Sequence, residues 1–122
     1  MKKYITFSVF LVLGIALIFV SMFLVRGGGD VSEGLDEFAK CLTEKGFVMY
    51  GTYWCSHCQN EKRAFGKAFK EVNYVECTDN PKLCEEKQIT GTPTWISGAG
   101  DRYLGEQGLE RLSDASGCPL DI

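Results

Sequence analysis

An uncharged run near the N-terminus is the feature that most limits what this chain can fold into. The 21 residues from Ile5 to Val25 carry no charge, and only Thr6, Ser8 and Ser21 among them are polar. With a rise of about 1.5 Å per residue, a helix of this length spans the roughly 30 Å hydrocarbon core of a bilayer. The sequence therefore predicts a cytoplasmic N-terminus at 1–4 and a transmembrane anchor at 5–25.

A cleaved signal peptide is the alternative to a retained anchor. Signal peptides have a shorter apolar region of about 7–15 residues and a small-residue cleavage site, whereas this run stays bulky up to Arg26. Lys2 and Lys3 precede the run, and only Arg26 follows it closely. The positive-inside rule then favours an extracytoplasmic domain. The predicted location is the cell membrane, with a single pass.

The rest of the chain consists of a predicted Gly-rich linker at 26–31 and a domain at 32–122. Its length is sufficient for one small domain. When Lys2, Lys3 and Arg26 are set aside, ten basic and sixteen acidic residues remain. Because nucleic-acid binding requires a basic face, this acidic composition argues against such a role.

The spacing of apolar residues and turn residues predicts helices that alternate with strands. Helices are predicted from Ser32 to Gly46, from about Cys55 to about Lys70, from Asn80–Pro81 to about Lys87, and from about Leu109 to Gly117. Strands are predicted at 47–52, 72–77, 93–97 and 102–105, with the last two joined into a hairpin by a turn at 98–101. This order predicts an α/β fold in which helices cover both faces of a mixed sheet.

Six cysteines lie in the predicted domain, and an even number in a small extracytoplasmic domain favours disulfides. Cys77 and Cys84 flank the turn sequence TDNP, which predicts a bond between them. Cys41 and Cys118 lie near the two ends of the domain, and a bond between them is also predicted. The alternatives for this second pair are a buried free Cys41 and an exposed Cys118 that pairs between chains.

The remaining two cysteines, Cys55 and Cys58, occur in the sequence WCSHC at the predicted start of a helix. Free backbone N–H groups and the helix dipole stabilise a thiolate there, so Cys55 is predicted to have a lowered pKa and to be the nucleophile. Cys58, one turn further along, is predicted to be the sheltered resolving thiol. His57 would stabilise the thiolate further and make the disulfide more oxidising; its alternative role is a solvated loop residue.

An inert disulfide and a metal site are the alternatives for the Cys55–Cys58 pair. Structural zinc usually takes four ligands, often from two such pairs. The chain has one pair with this spacing and a single histidine. The prediction is therefore a redox pair with no metal and no cofactor.

The sequence WCSHC after a buried strand, followed about 35 residues later by GTPTW, resembles the thioredoxin superfamily. More narrowly, MYGTYWCSHCQNEKRAFGKAF, YVEC, LC and GTPTW resemble the thioredoxin-like domain that is fused to vitamin K epoxide reductase homologues. This similarity covers roughly 35–117 and implies a thioredoxin-like fold. It also implies a cis Thr92–Pro93 bond facing the cysteines, in a loop that binds extended substrates and keeps metals away. Trp54 would join the exposed contact surface, the alternative being a partly buried packing residue.

One position departs from the pattern of that superfamily. Thioredoxins and many related oxidases carry an acidic residue six positions before the first cysteine, as a buried proton acceptor. Here that position is Met49, whose thioether does not serve this purpose. A water path or a nearby carboxylate would have to deprotonate Cys58.

Together these features predict a membrane-anchored, extracytoplasmic thiol–disulfide oxidoreductase that donates disulfides to exported proteins with cysteines. The resemblance implies a membrane quinone-linked reoxidant of the vitamin K epoxide reductase type, here encoded separately. The alternatives are a reductase or isomerase of the same fold, and a non-catalytic module that binds metal or peptides.

Overall fold

The structure is a computed structural model that describes residues 2–24 and 31–122, and within the first range it describes only some of the side chains. The first range forms one helix, α1 (Lys2–Leu24). In the parts of the chain that are described, no helix is both long enough and apolar enough to cross a membrane. The predicted linker lies outside the described residues except for Val31, and Val25 of the predicted anchor lies outside them as well.

The domain consists of helices and strands in the predicted order. Its helices are α2 (Val31–Glu44), α3 (Ser56–Phe65), α4 (Pro81–Glu86) and α5 (Gly108–Ser116), with a 3₁₀ helix at Gly66–Glu71. Its strands are β1 (Val48–Gly51), β2 (Asn73–Glu76), β3 (Thr94–Ile96) and β4 (Arg102–Leu104). The predicted hairpin is confirmed, because β3 and β4 are antiparallel neighbours.

Two predicted helix boundaries are wrong. The helix predicted to run from Cys55 to about Lys70 ends at Phe65, because Gly66 has a φ of 56° and a ψ of −132°, which leave the α-helical region. The tighter 3₁₀ helix then continues the path to Glu71. In addition, Ser32, which the sequence suggests as the capping residue at the start of this helix, lies inside α2, because α2 begins at Val31.

The four strands form one mixed sheet in the order β2-β1-β3-β4. Strand β1 is parallel to β2 and antiparallel to β3. Met49 is paired with Tyr74 on one side and with Trp95 on the other. Since side chains alternate along a strand and paired residues share a face, these three side chains point to the same side of the sheet.

The hydrophobic core lies on the face of the sheet that carries Met49 and Trp95. Phe65 from α3 packs against Trp95 with ring centroids 6.1 Å apart, and Phe38 from α2 stacks on Phe65 at 5.8 Å. Leu112 from α5 belongs to the same cluster. Full burial of side chains of this kind stabilises a fold by about 1.5–3 kcal/mol each. Helices thus cover this face, while helical cover of the opposite face stays a prediction.

Two disulfides tie the domain together. Cys41 in α2 is bonded to Cys118 after α5, across a sequence separation of 77 residues. Cys77 after β2 is bonded to Cys84 in α4, across a separation of 7 residues. The structure therefore contains both of the pairs for which the sequence favours a bond.

Candidate active site

Cys55 and Cys58 are the free cysteines of the described chain, and they lie where β1 leads into α3. Cys55 has an extended backbone with a φ of −77° and a ψ of 119°, and it is the N-cap residue of α3. Its Sγ accepts a hydrogen bond from the backbone N–H of Cys58 at 3.3 Å. The cysteine sulfur thus takes the place of the oxygen with which Ser, Thr or Asp usually caps a helix.

The surroundings of Cys55 favour its thiolate. Burial raises the pKa of this thiol, but hydrogen bonds to the sulfur lower it by more, so the pKa lies below its ordinary value. The bonds come from the Cys58 thiol, the Thr92 side chain and the backbone N–H groups of Cys58 and His57. A stabilised thiolate is the nucleophilic form of cysteine.

Cys58 has the opposite environment. Its side chain is completely buried, whereas Cys55 keeps 8% of its surface exposed. Burial and a hydrogen bond to Cys55 raise the pKa of Cys58 to about 11. An external thiol or disulfide can therefore reach only Cys55, and Cys58 stays protonated near neutral pH. This asymmetry matches the nucleophile and resolving roles that the sequence suggests.

The loop before β3 faces the cysteine pair. The Thr92–Pro93 peptide bond is cis, and the Thr92 carbonyl oxygen lies 3.4 Å from Cys55 Sγ, so it accepts a hydrogen bond from the protonated thiol. Two further bonds hold the loop: Thr94 Oγ1 donates to the Gly91 carbonyl at 2.7 Å, and the Gly105 N–H donates to the Pro93 carbonyl at 2.8 Å. The loop predicted to contact substrates is thus next to Cys55.

Two aromatic side chains project into solvent just before Cys55. Trp54 is 65% exposed and Tyr53 is 67% exposed. The alternative in which Trp54 is a packing residue is therefore wrong. The sequence analysis did not single out Tyr53. Its place directly before Trp54 and Cys55 was the signal that could have identified it. The two rings give the site an apolar, accessible rim.

The ring of His57 pairs with a carboxylate in the loop before α5. Its Nδ1 lies 2.9 Å from Glu106 Oε2, which also accepts a hydrogen bond from Asn60 Nδ2 at 3.2 Å. The bond to Glu106 raises the pKa of His57, and the negative charge of the Cys55 thiolate raises it further. His57 is thus exposed but ion-paired, and it acts on Cys55 through its charge.

Similarity to known proteins supports the redox reading of this site. No family model matches the chain. It is 44% identical to the thiol-disulfide oxidoreductase LTO1 of Arabidopsis thaliana over 93 residues, which cover 68% of this chain and 24% of that protein. The chain is a homologue of a thiol–disulfide oxidoreductase. It spans about a quarter of the length of that relative.

Two thioredoxins are among the similar solved structures. The thioredoxin of Fasciola hepatica is 22% identical with a TM-score of 0.45, and the match covers 58% of this chain and 76% of that one. The oxidised mitochondrial thioredoxin 3 of Saccharomyces cerevisiae is 20% identical with a TM-score of 0.46, and the match covers 68% and 88%. In this chain, a mixed four-stranded sheet leads into the helix at whose start the CxxC pair lies.

A buried carboxylate that the sequence analysis did not single out connects α3 to α5. Glu61 is only 1% exposed, and its two oxygens accept hydrogen bonds from the backbone N–H groups of Gln107 at 2.7 Å and Gly108 at 2.8 Å. It therefore satisfies the free N–H groups at the start of α5. The sequence signal for Glu61 was its spacing. It lies three residues after Cys58 and four before Phe65, which places it on the inner face of α3.

Metal binding was the main alternative for this site. Over the described ranges of the chain, no group of three or more His, Cys, Asp or Glu side chains is arranged to hold a metal ion. His57, the one histidine of the chain, pairs with a carboxylate instead.

Proposed function

We propose that this protein is a membrane-anchored, extracytoplasmic oxidoreductase that donates the Cys55–Cys58 disulfide to exported proteins. The observation that carries the proposal is the asymmetry of the pair. Cys55 keeps 8% of its surface exposed and has a lowered pKa, whereas Cys58 is completely buried and has a pKa of about 11. A stabilised thiolate on one side of the pair favours the reduced form, which makes the disulfide a better oxidant.

The proposed reaction begins with the oxidised pair. A client thiolate attacks Cys55 Sγ, the Cys55–Cys58 bond breaks, and Cys58 leaves as a thiolate that takes up a proton. A second client thiolate then attacks the client sulfur of the mixed disulfide, and Cys55 leaves as its stabilised thiolate. The client loses two electrons and gains a disulfide, while the pair gains two electrons and becomes a dithiol.

The proposed clients are extended segments of exported proteins that contain cysteines. The Thr92 loop lies beside Cys55, so its backbone is placed to pair with such a segment as an added strand. Tyr53 and Trp54 offer exposed apolar surface next to the same sulfur. Backbone pairing and apolar contact both tolerate many sequences, as a donor with several clients requires.

The proposed location follows from the sequence. Residues 5–25 are the proposed anchor, 1–4 the cytoplasmic end and 26–31 the linker, with 32–122 outside. The two further disulfides support an oxidising compartment, because structural disulfides persist there. Each turnover leaves a dithiol, so a reoxidant is required; the proposed partner is a separately encoded quinone-linked protein of the vitamin K epoxide reductase type.

The direction of electron flow is tested by the reduction potential of the Cys55–Cys58 pair, measured against glutathione. We expect a value clearly less negative than the about −270 mV of thioredoxin, together with oxidation of a reduced client protein. A thioredoxin-like potential would support the reductase or isomerase alternative instead. Stoichiometric metal that blocks alkylation of Cys55 would support the binding module.

Clients and reoxidant are tested by a Cys58→Ala variant in cells, which leaves mixed disulfides on Cys55 unresolved. We expect covalent partners that disappear when Cys55 is also replaced by alanine. If no mixed disulfide forms, the catalytic proposal fails. The anchor is tested separately: the protein should stay with membranes after a carbonate wash, and its recovery in the soluble fraction would contradict residues 5–25 as an anchor.

A further inference from the structure

Met49 leaves Cys58 without a carboxylate at the position where one was expected, but the neighbouring strand brings two other polar groups to the same face. In the parallel register, Met49 is paired with Tyr74 and Gly51 with Glu76. Paired residues point to the same side of a sheet. Tyr74 and Glu76 therefore face the side on which α3 and Cys58 pack.

Gly51 brings Cys58 and Tyr74 close to each other. A methyl group on Gly51 would lie 3.0 Å from Cys58 Sγ and 3.3 Å from Tyr74 Oη. The thiol and the phenol therefore border the same methyl-sized position above β1, and the glycine puts no side chain between them. The polar group that faces the resolving thiol is thus a tyrosine from β2.

Tyr74 is in turn bonded to a carboxylate. Its Oη donates a hydrogen bond to Glu76 Oε2 at 2.6 Å. The other carboxylate oxygen accepts hydrogen bonds from Thr78, at 3.2 Å from the backbone N–H and at 2.7 Å from Oγ1. A phenol that donates to a carboxylate carries more negative charge on its oxygen, which makes that oxygen a better proton acceptor. Glu76 is only half-buried, so it connects the pair to solvent.

Other charged and titratable groups also face Tyr74. Lys62 of α3 lies over its ring, with Nζ 3.8 Å from the centroid. Burial, the bond to Glu76 and the charges of Cys58 and Cys55 all raise the pKa of Tyr74. Burial raises the pKa of Glu76, but its bonds to Tyr74 and Thr78 lower it by more. Tyr74 thus keeps its proton, and Glu76 is ionised, at neutral pH.

We propose that Tyr74 and Glu76 form the proton route of Cys58: Tyr74 Oη exchanges a proton with Cys58 Sγ, and Glu76 passes the proton between Tyr74 and water. The inference rests on the proposed function. When a client opens the disulfide, Glu76 takes a proton from water and passes it to Tyr74 Oη as the phenolic proton moves to the Cys58 thiolate, so that no tyrosinate forms. When Cys58 closes the disulfide, its proton leaves by the reverse path, the Cys55–Cys58 bond forms and the other thiolate departs.

The test uses the full chain with a Tyr74→Phe variant, which keeps the ring and removes only the hydroxyl. Cys55 is loaded with glutathione, and the rate at which Cys58 displaces it is followed against pH. We expect a loss of about 100-fold near neutral pH, the lower end of what a positioned acid–base group supplies. Above pH 11 the two rates should converge, because hydroxide then deprotonates Cys58 directly. The alkylation profile of Cys55 should not change.

Two further variants complete the test. Glu76→Gln should slow the same step by a smaller factor, because the phenol keeps a hydrogen-bond partner but loses the charge. Tyr103→Phe, at a half-buried tyrosine of β4, is the matched control and should react like the wild type. A Tyr74→Phe protein that closes as fast as the wild type would overturn the proton route and leave the proposed function intact. Equal slowing at every pH would also overturn it, since that indicates a packing role. If the wild type shows no exchange at all, both proposals fail.

Discussion

The chain contains three cysteine pairs, and their surroundings separate one reactive pair from two structural ones. Cys55 and Cys58 lie within a single helical turn, where backbone N–H groups stabilise a thiolate and Cys55 keeps a small exposed surface. The other two pairs are disulfides that join separate elements, and Cys84 and Cys118 are both buried. Access and thiolate stabilisation therefore decide the role of a cysteine in this fold.

The first test of this contrast has the largest expected effect. Cys55→Ala should abolish thiol–disulfide exchange with a reduced client, because the accessible sulfur is lost. A Cys41→Ala/Cys118→Ala double variant should keep the exchange activity of the folded protein, since neither sulfur lies at the site. Activity is measured as the rate of client oxidation at a temperature where both variants are folded, as shown by circular dichroism. Residual exchange in Cys55→Ala would mean that another cysteine reacts.

The second test compares the two structural bonds with each other. In the chain-entropy model a disulfide stabilises more when it closes a longer loop, so removal of Cys41–Cys118 should cost about 4 kcal/mol and removal of Cys77–Cys84 about 2 kcal/mol. The sequence separations are 77 and 7 residues. Urea unfolding of the two double alanine variants measures the difference. The reverse order would show that effects in the folded state, and not loop length, dominate.

The order of helices and strands could be predicted because its signals are local. Glycine and proline positions, alternation in the strands and helical spacing each act over a few residues, and they located β1–β4 and α2–α5. The errors arose where two signals overlapped. The apolar spacing from Phe65 to Phe69 continues past Gly66, since a 3₁₀ helix keeps Phe69 packed against the core although the α-helix has ended.

The candidate site was predictable only as far as its signals are local in the sequence. The spacing of Cys55 and Cys58 and their place at the start of a helix identify them as a redox pair. The partners that surround them come from other elements: Glu106 lies 49 residues from His57, and Glu61 lies 46 residues from Gln107. Strand register decides that Tyr74 lies beside Met49. No local pattern contains that information, because it follows from the way in which the elements pack.

The third test concerns the smallest effect, the influence of His57 and Glu106 on the reactive pair. The ion pair raises the pKa of His57 and lowers that of Glu106. Because the pKa of His57 is raised in the folded state, its protonation stabilises the fold below the unfolded pKa of about 6.5. This stabilisation is lost as the pH rises through the folded pKa. Because the pKa of Glu106 is lowered in the folded state, its ionisation stabilises the fold above the unfolded pKa of about 4.3. This stabilisation is lost as the pH falls through the folded pKa. The pair therefore contributes mainly between these two values.

Glu106→Gln should move the titration midpoint of His57 down toward its ordinary value. Because the chain has a single histidine, its imidazole proton signal in an NMR titration reports this midpoint without ambiguity. The unfolding midpoint should change little, since exposed ion pairs are screened by water and salt. The substitution removes the Glu106 charge together with part of the positive charge of His57, so the reduction potential of the Cys55–Cys58 pair should change little. Glu110→Gln, an exposed change in the first turn of α5, is the control and should leave the midpoint where it is. An unchanged midpoint in Glu106→Gln would show that the contact with Glu106 does not tune His57, and the difference between the reactive and structural pairs would then rest on Cys55, Cys58 and the Thr92 loop alone.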